Sequence, residues 1–543
     1  MTGLQSVALV TIVALCVSAG VANSFPLSTR SRWIVDENTG QRVKLHCVNW
    51  AGHMEAMLPE GLNKRPLGAI ASRIASLGFN CVRLTWATFM FTNTTYAQRK
   101  VSESFLSLGL NQTLVGIATH NPSLLTLTVV EAQEAVVDAL GKAGVMVVLD
   151  NHVSLPQWCC GEDDGNGFFG DTYFNPKVWQ QGLRMVAERY RGKPQVVGMS
   201  LRNELRGPLQ NQSGWYQNVK RGVKTIHKAN PDLLVVVSGL SYSTDFSFLA
   251  QKPLEIKNNA SLEKKLVYEA HWYSFSDGKR EAWATLSPSW VCANLTAKFE
   301  EKAGFLVNKL NAPLFLSEFG LDQRGANQGD NRFLPCFIKY AAERDLDWAI
   351  WALQGSYYRR HDIVDNEETF GILDANWDQT RDPNFGKRYG LLEDTLQEAA
   401  SNASSQGWHY IVHHPSTGLC LQANKDNTIQ LSDCKNRSQW SYQGEGTPIK
   451  VKGTDLCLTR GAKRQPVFLS SNCKDLASKW NLVPSSKVQV AATDEEGGLQ
   501  CLDSGSSNST SIFTRDCVCL EGRICSDPNP QSQWFVLISS NVL

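Results

Sequence analysis

The sequence lacks a surplus of charge of either sign, since its 53 basic and 52 acidic residues give a formal net charge of +1. A near-neutral chain has no overall field with which to hold a polyphosphate, so no nucleic-acid partner is expected. Beyond residue 21 the sequence also lacks an apolar run of the roughly 20 residues that a membrane-spanning helix needs. With 42% hydrophobic and 19% charged residues, the composition excludes a polytopic membrane protein and a mostly disordered chain.

Motifs of several other protein classes are also missing. No G-x-S-x-G segment marks a serine hydrolase. The acidic loop at 158–166 has no EF-hand spacing, so we expect a solvated loop, with a calcium site as the alternative. His413 and His414 have no Cys or His partner at zinc spacing, and we expect both at the surface. We therefore expect neither a metal nor a cofactor.

The first residues predict export from the cell. Residues 7–21 form an apolar run that is typical of a signal peptide and too short to span a bilayer. No Lys or Arg precedes the run, so an uncleaved anchor is the alternative. Removing Cys16 with a signal peptide of residues 1–24 leaves fourteen of the 15 cysteines, an even number suited to an oxidising compartment. Sequons for N-glycosylation occur at Asn93, Asn111, Asn211, Asn259, Asn294, Asn402, Asn436 and Asn508.

From these features we predict a secreted, monomeric glycoprotein, extracellular or in the cell wall, with no membrane contact after cleavage. The cysteines also divide the chain, which at 543 residues exceeds what one hydrophobic core usually supports. Six are scattered through the first 400 residues and eight crowd residues 408–543. Residues 399–407 are small and polar, as an exposed linker should be. We therefore predict one domain over residues 25–398 and a second over 408–543.

The second domain contains three repeats of about 40 residues. Their openings are GLCLQ at 418–422, DLCLT at 455–459 and LQCLD at 499–503, and each has a second cysteine 14 or 16 residues after the first. The repeats close on Trp440, Trp480 and Trp534, which we interpret as core residues, with each cysteine pair forming a disulfide within its repeat.

This domain resembles the ricin B-type lectin family, whose β-trefoil has three repeats that each end in Gln-x-Trp. The repeats are degenerate, since Ser438, Ser478 and Ser532 stand where the motif has Gln. In that family a sugar-holding Asp lies two residues after the first Cys of a functional repeat. Those positions are Gln422, Thr459 and Asp503 here, so the resemblance implies at most one weak sugar site, at Asp503. A purely structural trefoil is the alternative.

In the first domain, short β-branched runs alternate with longer helical patterns, for example at 129–143, 215–229 and 297–310. Eight βα units predict a parallel (β/α)8 TIM barrel, an α/β fold. A doubly wound open sheet is the rival, but the segment after the first run, at 49–53, is not a Gly-rich phosphate loop. The predicted strands are 45–49, 79–85, 145–151, 196–201, 233–238, 266–271, 314–317 and 348–352.

Polar and aromatic residues stand at the C-terminal ends of most of these strands, where a barrel of this kind carries its active site. Two of them, Glu204 and Glu318, suit cleavage of a glycosidic bond, which needs one carboxyl group as acid and another as nucleophile or ion stabiliser. Glu318 should stay ionised, and Glu204 should keep its proton because of burial and the neighbouring charge. The remaining strand-end residues are Arg83, His152, Asn203, His271, Tyr273 and Trp351.

Residues 33–395 resemble glycoside hydrolase family 5, the cellulase-type family, and specifically a plant-like secreted branch with a lectin tail. The resemblance rests on NCVRLTW, LDNH, RNE, EAHWY, SEFG and WAIWAL. It implies Glu204 as acid/base and Glu318 as nucleophile, with retention of configuration. Arg83, His152, Asn203, His271, Tyr273 and Trp351 would bind substrate. From the residues alone, Asn203 is placed to bond the sugar 2-hydroxyl and Trp351 to form the platform under the sugar.

Three functions follow. The first is hydrolysis of a β-linked polysaccharide or oligosaccharide, of the β-1,4-glucan or mannan type, by double displacement. The second is carbohydrate binding by the tail, with the barrel as a relic. The third is transglycosylation through the same covalent intermediate.

Overall fold

The computed structural model describes residues 26–256, 260–398, 407–462, 465–505, 510–520, 522 and 524–542. The predicted signal peptide, all of the predicted linker except Gly407, and three sequon residues (Asn259, Asn402 and Asn508) lie outside the described residues. Among the helices that are described, none combines the length and the apolar character needed to cross a bilayer.

Eight parallel strands close into a barrel, as the strand pattern predicts, and the open-sheet alternative is wrong. A hairpin of β1 (Leu27–Arg30) and β2 (Trp33–Asp36) precedes the barrel. The strands pair in chain order, and the last pairs with the first. They are β3 (His46–Trp50), β4 (Cys81–Ala87), β5 (Met146–Val153), β6 (Val196–Ser200), β7 (Leu234–Ser238), β8 (Leu266–His271), β9 (Leu314–Phe319) and β10 (Asp347–Ile350).

The helices cover the outside of the barrel, so its strands are buried on both faces and their sequences are almost continuously apolar. Helices are α1 (Leu67–Ser76), α2 (Thr88–Thr92), α3 (Thr94–Ala97), α4 (Val101–Ser107), α5 (Asn111–His120), α6 (Val129–Lys142), α7 (Pro176–Arg189), α8 (Gln212–Ala229), α9 (Leu240–Ser243), α10 (Ala260–Glu263), α11 (Arg280–Thr285), α12 (Pro288–Phe299), α13 (Phe305–Asn308), α14 (Gln328–Arg344) and α15 (Phe385–Glu393).

Two of the three predicted helical spans agree closely with α6 and α8. A capping box of Thr128 and Glu131 satisfies free backbone N–H groups where α6 begins. The span predicted at 297–310 is instead divided, because a π-helical turn at Glu300–Gly304 separates α12 from α13. A Cβ at Gly304 within this turn would collide with the Tyr340 hydroxyl and the Glu300 carboxylate, so a larger residue would force these side chains to move.

A small hairpin, β11 (Arg359–Arg360) and β12 (Ile363–Val364), follows the barrel, and the C-terminal region is an all-β structure of antiparallel strands. They are β13 (His409–His414), β14 (Leu419–Ala423), β15 (Ile429–Ser432), β16 (Trp440–Ser441), β17 (Lys450–Val451), β18 (Cys457–Thr459), β19 (Phe468–Ser470), β20 (Asn481–Val483), β21 (Gln489–Thr493), β22 (Leu499–Asp503), β23 (Phe513–Asp516) and β24 (Val536–Ser540).

Each sequence repeat contributes one strand pair to this region, namely β14–β15, β18–β19 and β22–β23. The first strand of each pair carries the first cysteine of its repeat, and the three disulfides within repeats are those predicted: Cys420–Cys434, Cys457–Cys473 and Cys501–Cys517. The closing tryptophans Trp440, Trp480 and Trp534 are buried, as expected for core residues. The pairs that the sequence left open are Cys47–Cys81, Cys159–Cys160, Cys292–Cys336 and, in the tail, Cys519–Cys525.

The tail packs directly against the barrel domain. Val536 and Ile538 of β24 share a buried hydrophobic cluster with the barrel core. At the edge of this interface the Arg437 guanidinium lies 2.6 Å from the Asp394 carboxylate. The hydrophobic core of the barrel therefore extends into the tail at this interface.

The expectation that His413 and His414 lie at the surface is wrong. They belong to β13, which pairs with β14, β16 and β24, and both are almost fully buried. The His414 Nδ1 atom lies 2.8 Å from the Thr417 hydroxyl. Burial lowers the pKa of His413 to about 3 and that of His414 to about 4, so both are neutral core residues.

Candidate active site

The C-terminal ends of the barrel strands surround a pocket of about 620 Å³. Seven of the eight residues predicted for this rim line it: His152, Asn203, Glu204, His271, Tyr273, Glu318 and Trp351. The eighth, Arg83, lies beneath them and is completely buried. Parallel strands of a closed barrel all end on the same side, which brings residues far apart in the sequence into one site.

The Glu318 carboxylate, at the end of β9, is held by two donors. Arg83 Nη1 donates to Oε1 at 2.7 Å, and the Tyr273 hydroxyl donates to Oε2 at 3.0 Å. Burial raises the pKa of Glu318 to about 6, with His271 and Arg83 opposing the rise. Glu318 is therefore ionised at neutral pH, as the sequence analysis expects.

Glu204 follows β6 and faces Glu318 across His271. Its Oε1 atom lies 2.8 Å from His271 Nδ1, which is also 3.6 Å from Glu318 Oε2. Each glutamate has a carboxylate oxygen within 4.8 Å of one on the other and of a ring nitrogen of His271. The backbone of Glu204 has φ 33°, a left-handed conformation that costs free energy for a residue with a side chain.

The pKa of Glu204 is raised to about 7, first by burial and further by the charges of Asp150 and Glu269, against the effect of Arg206 and Arg83. At a pH between the two pKa values, Glu204 holds its proton and Glu318 has lost its own. One carboxylic acid and one carboxylate then share a single pocket, which is the arrangement needed for glycosidic bond cleavage.

Arg83 connects Glu318 to two further buried carboxylates that the sequence analysis did not assign to the site. Its Nη2 atom lies 3.0 Å from Asp150 Oδ1 and 3.4 Å from Glu269 Oε2. Burial opposes its charge, but the three carboxylates together raise the pKa of Arg83. A sequence signal existed for both: Asp150 begins the polar group 150–152, and Glu269 interrupts an otherwise apolar strand.

The aromatic residues of the pocket are in contact with one another. The ring of His152 stacks on Trp351 at a centroid distance of 5.6 Å and an interplanar angle of 18°. His53, a further residue that the sequence analysis missed, lies 4.0 Å from the His152 ring. Burial lowers the pKa of His152, whose Nδ1 atom is 2.6 Å from Asp150 Oδ2. A neutral, oriented imidazole therefore faces the pocket.

Most of the outer wall was not predicted from the sequence. The outer lining residues include Trp158, Cys159, Cys160, Tyr242, Phe275, Arg360, Glu368 and Phe370. Arg360 lies over the Trp158 ring at 3.6 Å and pairs with Glu368 at 3.1 Å. Most of these residues come from loops, whereas Tyr242 lies in the short helix α9 and Arg360 in the short strand β11. No periodic pattern in the sequence marks such a residue as part of a pocket.

Two groups of three potential metal ligands occur among the described residues. The first is the carboxylate pair Glu204 and Glu318 together with His271. The other is His152 with Cys159 and Cys160, whose sulfurs are joined in a disulfide. In the acidic loop Glu162 is exposed, as a solvated loop predicts, whereas Asp164 pairs with Arg206 at 2.5 Å.

The candidate sugar residue of the tail, Asp503, is buried at the end of β22. Its Oδ1 atom accepts a hydrogen bond from the Gly505 amide at 2.7 Å. Its Oδ2 atom accepts one from Gln533 Nε2 at 3.1 Å and lies 3.3 Å from Arg515 Nη1. Protein donors therefore already contact both carboxylate oxygens.

Residues 37–356 match the family model described as cellulase (glycosyl hydrolase family 5). Over 547 residues the chain is 44% identical to a "Glycosyl hydrolase 5 family protein" of Chamaecyparis obtusa, covering 98% of this chain and 96% of that relative. It is 25% identical over 386 residues to the "Major extracellular endoglucanase" of Xanthomonas campestris pv. campestris (strain ATCC 33913 / DSM 3586 / NCPPB 528 / LMG 568 / P 25), covering 68% of this chain and 71% of the relative.

Two solved structures have a similar fold, and each is matched over nearly its whole length. The catalytic domain of the major endoglucanase from Xanthomonas campestris pv. campestris has a TM-score of 0.53 at 23% identity, covering 67% of this chain and 98% of that one. A hyperthermophilic endocellulase from the archaeon Pyrococcus horikoshii has a TM-score of 0.55 at 18% identity, covering 68% and 100%. At these identities the likeness concerns the fold alone.

Proposed function

This chain belongs to the cellulase family, glycosyl hydrolase family 5, and from that premise we propose that it is a secreted retaining enzyme that cuts β-linked polysaccharide of the β-1,4-glucan or mannan type. It is an O-glycosyl hydrolase, similar to endo-β-glucanases. The observation that carries the proposed mechanism is the pair Glu204 and Glu318, whose oxygens approach within 4.8 Å and whose pKa values differ in the required order.

In the first step the ionised Glu318 attacks the anomeric carbon while Glu204 gives its proton to the departing glycosidic oxygen. The carbon–oxygen bond to the leaving sugar breaks, and a covalent ester between the glycone and Glu318 forms. In the second step Glu204, now ionised, takes a proton from water, and the water oxygen displaces Glu318. Two displacements at one carbon restore its original configuration.

The surrounding residues support this division of roles. Arg83 and Tyr273 donate to the Glu318 carboxylate and stabilise its charge before the attack. His271 bridges the two glutamates, so it orients Glu204 toward the bond that is cut. Asn203 would bond the 2-hydroxyl of the sugar, while Trp351 and the stacked His152 would form the apolar platform beneath its ring.

We also propose that the protein is exported and glycosylated, acts as a monomer, and belongs to a plant-like branch of the family. The seven disulfides among the described residues suit an oxidising compartment. The five sequon asparagines that the structure describes are all exposed: Asn93, Asn111, Asn211, Asn294 and Asn436. Chamaecyparis obtusa, the source of the 44% identical relative, is consistent with the plant-like branch.

For the tail we propose a ricin B-type β-trefoil, supported by the three strand pairs, each with its own disulfide and closing tryptophan. Its sugar site would be at Asp503 in the third repeat, where Arg515 lies beside the carboxylate. A lower affinity of the full chain for a free sugar in Asp503→Ala, with hydrolysis unchanged, would support this site. Equal binding by the variant would contradict it.

The hydrolytic proposal is tested by supplying the purified full chain with defined β-1,4-glucan, mannan and their oligosaccharides, while NMR follows the anomer of the first product. We expect a β-anomer at early times. An α-anomer would refute retention, and binding without products would instead favour a carbohydrate-binding protein. Products longer than the substrate at high oligosaccharide concentration would identify a transglycosylase.

A further inference from the structure

A disulfide between neighbouring residues, Cys159 and Cys160, forms part of the pocket wall. Cys159 is 5% exposed, Cys160 is partly exposed, and Trp158 lines the pocket beside them. The proposed catalytic steps do not involve these sulfurs. They lie within the pocket itself, so any sugar held between Glu204 and Glu318 would be close to them.

The sulfurs contact Asn203, the residue proposed to bond the sugar 2-hydroxyl. The Asn203 Nδ2 atom lies 3.6 Å from Cys159 Sγ and 3.5 Å from Cys160 Sγ. Arg83 Nη2 donates to Asn203 Oδ1 at 2.9 Å, which fixes the orientation of the amide. The NH₂ group must therefore point toward the disulfide, and the sulfurs lie on the side of the pocket where C2 of the sugar would sit.

The loop that carries the disulfide is tied to the backbone of Glu204 by one side chain, Arg206. Its Nε atom donates to the Gly161 carbonyl at 2.8 Å, and its Nη1 atom donates to the Glu204 carbonyl at 2.8 Å. Its Nη2 atom pairs with Asp164 of the same loop. Because Arg206 is fully buried, this link holds the sulfurs at a set distance from the candidate acid.

We propose that the Cys159–Cys160 disulfide determines specificity by limiting the substituent on C2 of the sugar whose bond is cut. The inference rests on the proposed function, since it takes Asn203 as the partner of the 2-hydroxyl. A hydroxyl group can bond the Asn203 amide and still fit beside the sulfurs. An acetamido group would press its own N–H and C=O against sulfur, which offers only weak hydrogen bonding in place of water.

The disulfide cannot move away from an acetamido group. The covalent bond prevents the sulfurs from separating, and Arg206 holds the loop in place. The substrates selected in this way are β-glucans or mannans with a free 2-hydroxyl at the cleavage position. Chitin-type polymers, which carry an acetamido group on that carbon, are rejected.

The test compares two probes, an aryl β-cellobioside and the same compound with an acetamido group at C2 of the sugar next to the aryl group. The wild type should hydrolyse the first and bind the second at least about tenfold more weakly, measured as the inhibition constant against the first. In Cys159→Ala/Cys160→Ala, the ratio of the binding constants of the two probes should fall by about tenfold. The matched control is Cys519→Ala/Cys525→Ala, which removes a disulfide of the tail and should keep the wild-type ratio.

An unchanged ratio in the folded Cys159→Ala/Cys160→Ala variant would overturn the inference. A wild type that binds or hydrolyses both probes equally would overturn it as well, and this second outcome does not depend on the variant folding. Failure of the proposed function gives a different result, because the wild type would then leave the unsubstituted cellobioside and all β-glucans intact.

Discussion

Replacing Glu204 with glutamine separates the roles of the two facing carboxyl groups. The wild type needs Glu318 ionised and Glu204 protonated, so kcat/KM should form a bell-shaped pH profile. Activity should fall as the pH drops through the pKa of Glu318, about 6, and as it rises through the pKa of Glu204, about 7. Because the two groups interact, the limbs report values that belong to the pair.

The size of the effect follows from the raised pKa of Glu204. With a pKa of about 7, roughly nine-tenths of the molecules carry this proton at pH 6, whereas an ordinary pKa of 4.5 would leave about 3%. The raised pKa therefore increases the fraction of molecules with a protonated Glu204 about thirtyfold at that pH. Glu204→Gln removes the proton donor and should reduce kcat/KM on β-glucan by about 10²–10⁴-fold.

The assay measures kcat/KM from acid to alkaline pH on β-glucan and on an aryl glycoside with an activated leaving group. In Glu204→Gln the alkaline limb should disappear, and the aryl substrate should lose much less activity because its leaving group needs little protonation. The control Glu188→Gln changes an exposed carboxylate on α7 and should keep the wild-type profile. A Glu204→Gln variant that retains the alkaline limb, or that loses both substrates equally, would refute the assignment of the acid.

Glu318→Gln should lower turnover of both substrates by at least about 10⁴-fold with unchanged circular dichroism, and substantial activity would exclude Glu318 as nucleophile. Asp345→Asn should destabilise the barrel by about 3–5 kcal/mol, measured by urea unfolding. The reason is that Lys44 Nζ lies 2.6 Å from the Asp345 carboxylate and both side chains are buried. A decrease in the free energy of unfolding below about 1 kcal/mol would contradict this. Trp480→Ala should lower the free energy of unfolding of the tail by about 3–5 kcal/mol. The ring is fully buried, and its Nε1 also donates to the Leu458 carbonyl at 2.8 Å. An unchanged thermal transition would argue against a tail core built on Trp480.

The general plan of the barrel was predictable because it depends on local sequence. Parallel strands buried on both faces require apolar, β-branched runs, and these runs lie close to the strands observed. The predicted bounds were least accurate where the backbone departs from regular geometry, as at Glu300–Gly304. There the helical pattern continues in the sequence, and the close approach of Tyr340 to Gly304 depends on how two distant helices pack.

The tail repeats were equally visible, since each disulfide closes a short loop within one repeat. The burial of His413 and His414 was not. Two adjacent histidines resemble a surface feature in the sequence. Only their place in β13, which pairs with three other strands, removes them from solvent.

The sequence by itself determined which residues end the barrel strands, because the strand pattern and the polar residue that follows it are both local. It thereby placed Glu204 and Glu318 on one rim. Only the tertiary structure decided the charge balance of that rim, because the contacts of Arg83 with Asp150 and Glu269 join strands that are distant in the chain. The same holds for the pairing of Cys159 with Cys160 beside Asn203: burial and orientation are properties of packed neighbours, and no local pattern encodes them.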